Sequence, residues 1–479
     1  MAWDCYNEGM PSPKQLFLIV ITLLALVFVS IPIAGYWALA DAESALQAQN
    51  YQDAAEAYAR AARILVWRDD LLEQAAFAAI KQQDLSSAIY YFERAELSDR
   101  GHLALAYAYY QIGDLESAQR SFEEGVALYQ APAFYEGLAF VYRSQNKWTQ
   151  ERNTLEKQIR LDAGNASAHY RLGVLLTVLD AEIALPELML ASSLGPQFDP
   201  AVQTLRAALN LSVTQPDDSK QMVTVGRALG LIEEWRLAAA AFEKATELDL
   251  KNPEAWAWLG EAKQHDVALS ASKGGQDGRA ELDRALALGR TSPVVRALRG
   301  LYWNRQQKYQ QALAEYLLAA EYEPWNPAWR ASIGDAYFKL GDLVSALAAY
   351  QRAAELAPNE AEYWRLLAVF CADNGVRVED VGLPAAQKAA QIAPNDPLAL
   401  DALGRSYFSS GRYANAERTL LDVIERFPGH YPAHIHLAVT YLTQGNRAAA
   451  FHELTYVRDA DTGGEDGLFA GRLLAQYFP

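Results

Sequence analysis

The chain has 479 residues, 51% of them hydrophobic and 21% charged, and a formal net charge of −17 at neutral pH. This composition is typical of a folded chain, and the acidic excess argues against a nucleic-acid partner, because neutralising phosphates requires concentrated Lys and Arg. Two cysteines, Cys5 and Cys371, are too few for a disulfide framework or a four-thiolate metal site, and they leave the redox compartment open.

The first predicted element is a membrane-spanning helix over residues 15–40, preceded by an N-terminal tail, residues 1–14. The segment contains no charged residue. As a helix it would be about 39 Å long, which is enough to cross the apolar core of a bilayer. Tyr36 and Trp37 lie near its end, where interfacial aromatic residues are expected. The sequence therefore predicts a membrane anchor.

The basic residues around this segment indicate its orientation. Lys14 precedes it, and the next basic residue is Arg60, which favours a single-pass protein whose main part is extracytoplasmic. A cleaved signal peptide is the alternative, because Ala38-Leu39-Ala40 has the small-residue spacing of a cleavage site. In that case the chain would be secreted after cleavage following Ala40.

Two segments further along the chain can be aligned without a gap. IGDAYFKLGDLVSALAAYQRAAELAPN begins at Ile333, and LGRSYFSSGRYANAERTLLDVIERFPG begins at Leu403. Both contain an apolar–Gly pair, an aromatic residue three positions on, a later Gly, an Ala, an apolar residue four positions further and a final Pro. This spacing resembles the tetratricopeptide repeat. Small residues lie where the two helices of a repeat cross closely, large residues lie where they interlock, and Pro ends the second helix.

Complete and partial copies of this spacing extend over residues 36–462. Characteristic positions in the other copies are, in chain order, Ala54 and Tyr58, Ala88 and Phe92, Ala106 and Phe122, Leu138 and Leu155, Gly173, Gly226 and Phe242, Gly260 and Leu282, and Gly300 and Tyr316. The resemblance implies an all-α fold, a right-handed superhelical α-solenoid of about twelve helix-turn-helix units. One transmembrane helix would precede it.

Proline residues predict where this array is divided. Pro186 falls inside a degenerate second helix, and Pro196, Pro200 and Pro216 surround a short helical stretch. Since order in a repeat array passes only between neighbours, such a break divides it into two cooperative units. The predicted domains are an N-terminal array at 36–198, a junction at 199–218, a C-terminal array at 219–462 and a C-terminal capping helix at 463–479.

Three of the seven histidines lie close together near the end of the chain, at His430, His434 and His436. His434 occupies a position that is aromatic in other copies, and His436 is about 200° away around a helix. Because metal ligands must converge on one point, the repeat spacing favours a structural interpretation of these residues.

No other segment predicts catalytic chemistry. The stretch SASKGGQDG from Ser270 lacks the order of a phosphate-binding loop and is interpreted as a flexible insertion. Nucleophile-elbow, zinc-helix and paired-cysteine patterns are absent from the sequence. Because repeats occupy most of the chain, we predict no catalytic residue, no cofactor and no metal, and a protein that is not an enzyme.

The family resemblance implies a concave groove lined by the first helix of each repeat, which holds peptides or helices of partner proteins. Aromatic residues and Arg at such positions have the composition of binding hot spots. The groove positions carried over to this sequence are Phe77, Tyr107, Tyr110, Phe140, Arg143 and Tyr170 in the N-terminal array, and Arg227, Asp335, Phe338, Arg405 and Phe408 in the C-terminal array. None of the copies has the adjacent Lys and Asn with which some family members clamp a terminal carboxylate.

The predicted function is that of a non-enzymatic, membrane-anchored scaffold or adaptor that binds protein or peptide partners in its groove. Tethering raises the effective concentration of partners near the bilayer. The alternative is an accessory or assembly subunit of an envelope enzyme complex, in polysaccharide or lipopolysaccharide assembly or in cytochrome maturation, since membrane-anchored arrays of this family occur in such systems.

Overall fold

The computed structural model describes residue 14, residues 32–265 and residues 277–479. In these residues the regular secondary structure is helical, without strands, so the all-α prediction is confirmed for this part of the chain. The structure divides into two compact units, the first ending at Thr214 and the second running from Gln215 to Pro479.

The helices of the first unit follow one another with short connections. They are α1 (32–47), α2 (Tyr51–Ile64), α3 (Asp70–Lys81), α4 (Leu85–Phe92), α5 (Asp99–Gln111), α6 (Leu115–Tyr129), α7 (Pro132–Ser144), α8 (Trp148–Leu161), α9 (Ala166–Leu179), α10 (Ala181–Leu194), a 3₁₀ turn (Pro196–Phe198) and α11 (Asp199–Ser212). Each helix packs mainly on its neighbours in the sequence, which is the contact pattern of a repeat array.

The second unit is built in the same way. Its helices are α12 (Asp218–Leu231), α13 (Trp235–Leu248), α14 (Pro253–His265), α15 (Arg279–Leu288), α16 (Pro293–Arg305), α17 (Tyr309–Tyr322), α18 (Pro327–Lys339), α19 (Leu343–Leu356), α20 (Ala361–Asn374), a π-helical turn (Val378–Gly382), α21 (Leu383–Ile392), α22 (Pro397–Ser409), α23 (Tyr413–Arg426), α24 (Tyr431–Thr443), α25 (Arg447–Ala460) and α26 (Glu465–Tyr477). The last helix buries Ala470 and Leu474 in the core that it shares with α25.

The turn inside several helix pairs has a common chemistry. Gly341 adopts a left-handed conformation, with φ of +82°, which costs Gly little because it has no Cβ. Asp342 then caps α19, and its carboxylate accepts a hydrogen bond from the backbone N–H of Ser345 at 3.0 Å. Hydrogen bonds from Ser345 lower the pKa of Asp342. Gly113 and Asp114 repeat this arrangement before α6, so local sequence ends one helix and begins the next.

Small residues set how closely the two helices of a pair approach each other. A Cβ built at Gly300 would lie 2.4 Å from the ring of Tyr316 in the paired helix. Only Gly therefore allows this crossing. In the first unit Ala106 packs in one core with Phe122, and both side chains are fully buried. The predicted pairing of small and large residues is present in both units.

Most of the predicted membrane-spanning helix, residues 15–31, lies outside the described residues. Its last part, 32–40, belongs to α1, which buries Ala42 in a core formed with α2 and α3. In the part of the chain that the structure describes, no helix combines the length and the apolar character needed to cross a bilayer. The predicted insertion beginning at Ser270 falls largely in the second gap, residues 266–276, which lies outside the described residues.

The residues between the two predicted arrays form a further helix. α11 packs on α10 and more weakly on α9, and it buries Val202 and Leu205. The division between the two units follows this helix, after Thr214. The proline residues at 196 and 200 therefore lie at the start of an ordered helix, where proline is compatible with helical geometry.

Candidate functional site

The predicted groove residues of the first unit lie on consecutive first helices of the repeats. Phe77 is on α3, Tyr107 and Tyr110 are on α5, Phe140 is on α7 and Tyr170 is on α9. All five side chains are partly buried. We call these five residues the aromatic row. Helices α5 and α7 are in direct contact, so three members of the row lie on two touching helices.

Contacts within the array orient the members of the aromatic row. The ring of Tyr107 meets the buried ring of Phe122 edge-on, with centroids 5.1 Å apart. The hydroxyl of Tyr110 is 3.1 Å from the Ser144 hydroxyl on α7. Burial, more than the nearby charge of Glu136, raises the pKa of Tyr107. Tyr107 is therefore neutral at physiological pH, and contacts within the array hold both tyrosines in position.

The ends of the row are held in a similar way. Phe77 packs edge-on against Phe92, with ring centroids 5.4 Å apart. Tyr170 stacks on Phe198, with centroids 4.5 Å apart and planes within 16°. Each predicted groove aromatic thus gives part of its surface to intramolecular packing. A partner would contact the remaining exposed edges.

The predicted groove residue Arg143 belongs to a buried ionic cluster. Its Nε donates to Glu151 Oε1 at 3.0 Å. Glu151 is fully buried, and it also accepts hydrogen bonds from Arg171 at 2.6 and 3.1 Å. The Arg143 guanidinium lies 5.3 Å from the ring centroid of Phe140. Glu151 therefore joins α7, α8 and α9 and fixes Arg143 beside the aromatic row.

The predicted groove residues of the second unit are more widely separated along the chain. Arg227 on α12 lies over the ring of Trp258 at 5.2 Å. Asp335 on α18 accepts a hydrogen bond from Asn304 at 3.3 Å. Phe338, also on α18, meets Phe370 edge-on at 6.0 Å.

The two remaining predicted residues lie together on α22. Arg405 forms an ion pair with Asp373 of α20. The ring of Phe408 lies 5.6 Å from that of Tyr413. Helices α20 and α22 are in contact. These five residues of the second unit therefore do not form one aromatic cluster like that of the first.

Sequence reasoning missed a polar network in the second unit, formed by Glu261, His265 and Arg305. In the sequence these residues lie between Arg227 and Asp335. Glu261 on α14 is almost fully buried and accepts hydrogen bonds from both terminal nitrogens of Arg305, at 2.5 and 2.7 Å. His265 Nε2 lies 3.1 Å from both Glu261 and Arg305. The His265 ring stacks on Trp235 with centroids 3.7 Å apart. A signal was present, since Glu261 follows Gly260 just as Asp335 follows Gly334.

The side chains of the three C-terminal histidines do not converge on one point. His434 Nδ1 is 2.6 Å from Glu453 of α25, and His436 Nδ1 is 2.7 Å from Asp401 of α22. His430 precedes α24, and burial lowers its pKa. Within the residues described, no group of three or more His, Cys, Asp or Glu side chains has a metal-binding arrangement. His434 and His436 each connect α24 to another helix.

Comparison with protein-family models finds the tetratricopeptide repeat in three segments of the chain. One model matches residues 103–166 and 402–463, and a second model of the same repeat matches residues 305–369. Among curated proteins, none matches this chain.

Three solved structures are similar to the chain at low sequence identity. Yeast Tom70 is 14% identical, with a TM-score of 0.37, over 79% of this chain and 95% of that chain. The hetero-tetramer Cut9–Hcn1 of the APC/C is 13% identical, with a TM-score of 0.39, over 94% and 99%. YrrB, described as a TPR protein with an unusual peptide-binding site, is 20% identical, with a TM-score of 0.30, over 40% and 97%.

The matched segments coincide with helix pairs whose small and large residues interlock in the structure. The segment at 103–166 lies in the first unit, and those at 305–369 and 402–463 lie in the second. The chain therefore carries tetratricopeptide repeats in both of its units, as the sequence pattern predicts.

Proposed function

We propose that the protein is a non-enzymatic scaffold that binds a partner protein on the aromatic row of its first unit. Tetratricopeptide repeats are typical of proteins that bind other proteins, and the described residues include aromatic side chains on touching first helices. The partner segment would be an extended peptide or a helix, which can lie across several first helices at once.

The observation that carries this proposal is the cluster of Tyr107, Tyr110 and Phe140. Tyr107 and Tyr110 are one helical turn apart on α5, and Phe140 is on the adjoining α7. Their rings are oriented by Phe122, Ser144 and Arg143. Because rigid aromatic side chains lose little entropy on binding, such a cluster supplies contact area at low cost.

The charged positions of the second unit suggest a second contact region with a different chemistry. Arg227, Asp335 and Arg405 each follow the small residue of a first helix, so both signs of charge occur at one repeat position. Charges of both signs on a binding surface select partners by complementarity more than they add affinity. In this proposal the first unit supplies affinity and the second supplies selectivity.

We also propose that residues 15–40 anchor the protein in a membrane as a single pass, with the repeats on the extracytoplasmic side. The support is the charge-free stretch and the position of Lys14 before it. Flotation of the full chain with lipid vesicles, followed by alkaline extraction, tests the anchor. Recovery in the soluble fraction would contradict it, and an N-terminus at Asp41 in the mature protein would indicate cleavage after Ala40.

The binding surface is tested by replacing Tyr107 and Phe140 together by Ala. We expect the double variant to lower partner capture by tenfold or more, since hot-spot aromatic residues contribute about 2 kcal/mol each. Capture is measured by photo-crosslinking in membranes and quantitative mass spectrometry, and circular dichroism checks that the helices remain. Tyr90→Ala is the matched control, because Tyr90 is an exposed tyrosine on α4, the second helix of its pair.

Two results would contradict the proposed surface. The double variant would capture the same partners at wild-type levels, or Tyr90→Ala would lower capture as strongly as the double variant does. The first result would place the binding surface elsewhere, and the second would show that the loss is not specific to the first helices.

A further inference from the structure

A group of large apolar side chains is exposed at the start of the first unit. It consists of Ile33, Tyr36 and Trp37 on α1, and Val66 and Trp67 in the connection between α2 and α3. Trp37 is 71% exposed, Val66 73% and Trp67 53%. We call these five residues the N-terminal patch. Exposed apolar residues are common singly, but a group of this kind on one end of a protein indicates a contact surface.

Close packing brings the two parts of the patch together. A Cβ built at Gly35 would lie 2.6 Å from Leu65 Cγ and 3.0 Å from Ile64 Cγ2. The start of α1 therefore rests directly on the end of α2, and Leu65 is fully buried. Side chains that are about thirty positions apart in the sequence thus lie at the same end of the unit.

Two charged residues beside the patch pair with each other. Arg68 donates two hydrogen bonds to Asp70, at 2.7 and 2.8 Å. The hydrogen bond and charge of Asp70 raise the pKa of Arg68. Arg68 and Asp70 neutralise each other, while Asp69, two residues after Trp67 in the sequence, is exposed. The five residues of the patch itself offer aromatic and aliphatic surface.

The chemistry and the chain connection both favour a lipid surface as the occupant. α1 follows directly after residues 15–31, which contain no charged residue. Trp and Tyr prefer the boundary between lipid headgroups and hydrocarbon, because they combine an apolar ring with a polar hydrogen-bonding group. We propose that the N-terminal patch lies in the headgroup region of a phospholipid bilayer.

This inference rests on the membrane anchor proposed above and adds a second point of attachment to it. A single helix leaves the repeats free to rotate about the axis of the anchor. Contact of Val66 and Trp67 with the same bilayer removes that freedom, because the connection between α2 and α3 is fixed against α1. The first repeat would therefore hold one defined orientation towards the membrane.

An environment-sensitive fluorophore at position 66 tests this arrangement. The full chain with Cys5→Ser and Val66→Cys is labelled and reconstituted into vesicles of phosphatidylcholine with a minor fraction of phosphatidylglycerol. Cys371 is buried, and burial raises the pKa of its thiol to about 11, so this thiol should not react. We expect blue-shifted emission that loses most of its intensity when the lipids carry a doxyl quencher.

Ile112→Cys supplies the matched control. Ile112 is 50% exposed and lies in the connection between α5 and α6. Connections alternate between the two edges of an antiparallel array, so this one is at the edge opposite to the patch. The label at Ile112 should remain accessible to a water-soluble quencher and should be insensitive to the doxyl lipids. Trp67→Glu should weaken lipid quenching of the label at position 66 without changing flotation.

The possible failures are distinguishable. If the chain floats but only the water-soluble quencher reduces the emission of the label at position 66, the membrane anchor is supported and the second attachment is overturned. If emission is blue-shifted but insensitive to doxyl lipids, protein covers the patch instead of lipid, which also overturns the inference. If the chain does not float with vesicles, both the anchor and the patch assignment fail.

Discussion

Each unit buries a glutamate among its helices, but the two units neutralise that charge differently. In the first unit Glu151 is held by Arg143 and by Arg171, whose side chain is only 5% exposed. In the second unit Glu261 is held by Arg305, whose side chain is 33% exposed, and by His265. A buried ion pair with no access to water cannot recover hydration when one partner is lost, whereas a pair at the surface can. The same residue type should therefore differ in its importance between the two units.

The largest expected effect is that of Glu151→Ala. It leaves Arg171 buried without its carboxylate, and breaking such a pair costs about 3–5 kcal/mol. Urea denaturation should show destabilisation of that size, and hydrogen exchange should locate it in α7, α8 and α9. The control is Glu151→Leu combined with Arg171→Met, which replaces the ions by apolar groups and should restore most of the loss. Equal instability of the control would contradict an electrostatic cause.

Glu261→Ala should have a smaller effect, about 1.5–3 kcal/mol, which is typical of hydrogen bonds to a charged group. Arg305 can turn towards water, and His265 keeps its stacking contact with Trp235. The measurement is again urea denaturation, followed by hydrogen exchange of α14 and α16. If this substitution costs as much as Glu151→Ala, the exposure of the arginine does not determine the difference between the units.

Gly300→Ala tests how the position of α16 controls the hydrogen bonds between Arg305 and Glu261. The new Cβ would lie 2.4 Å from the ring of Tyr316, and overpacking of this kind costs about 1–3 kcal/mol. Ala has a helix propensity about 1 kcal/mol better than that of Gly, so the net loss should be at most about 2 kcal/mol. Because Arg305 is on the same helix, its hydrogen bonds to Glu261 should lengthen and weaken as well.

Gly334→Ala is the matched control for this glycine. A Cβ at Gly334 would lie 3.0 Å from the ring of Tyr350, which the ring can accommodate by a small shift. The propensity gain then roughly offsets the crowding, so we expect nearly unchanged thermal stability. A loss at Gly334 as large as that at Gly300 would show that the contact distance does not decide the outcome.

These networks also show how much the sequence could predict. The small and large residues that pair α18 with α19 recur at fixed spacing, so the helix pairs were predictable from local pattern and are confirmed. The bond from Arg305 to Glu261 joins residues 44 positions apart, and its existence depends on the distance between neighbouring repeats. In the sequence Glu151 is one of several charged residues on α8, and nothing distinguishes it from the others. Only the packing of the helices shows that it is fully buried.

The groove residues were predictable from the sequence only in part. Counting repeat positions placed Tyr107, Tyr110 and Phe140 on adjoining helices, because each position is set relative to the small residue of its own repeat. It could not show how much of each ring is used in internal packing, as the edge contact of Tyr107 with Phe122 illustrates. Whether these residues bind a partner stays a prediction.

The smallest expected effect concerns two tyrosines of the first unit. Tyr109 donates a hydrogen bond to Glu93 at 2.6 Å, and Tyr142 donates one to Glu123 at 2.9 Å. Burial first, and then these carboxylates, raise the pKa of each tyrosine to about 12. A pKa above the value near 10 for an unfolded chain means that the stabilisation is fully present below pH 10. It is lost as the pH rises from about 10 towards 12.

The measurement is an alkaline titration followed by phenolate absorbance and by circular dichroism of the full chain. In the wild type we expect the first unit to lose stability over this interval, by a modest amount because both tyrosines keep partial contact with solvent. Tyr109→Phe combined with Tyr142→Phe removes the ionisable groups, so its stability should change less between pH 10 and pH 12. If the double variant and the wild type respond alike, the alkaline loss arises elsewhere, and these inter-repeat hydrogen bonds contribute little to the first unit.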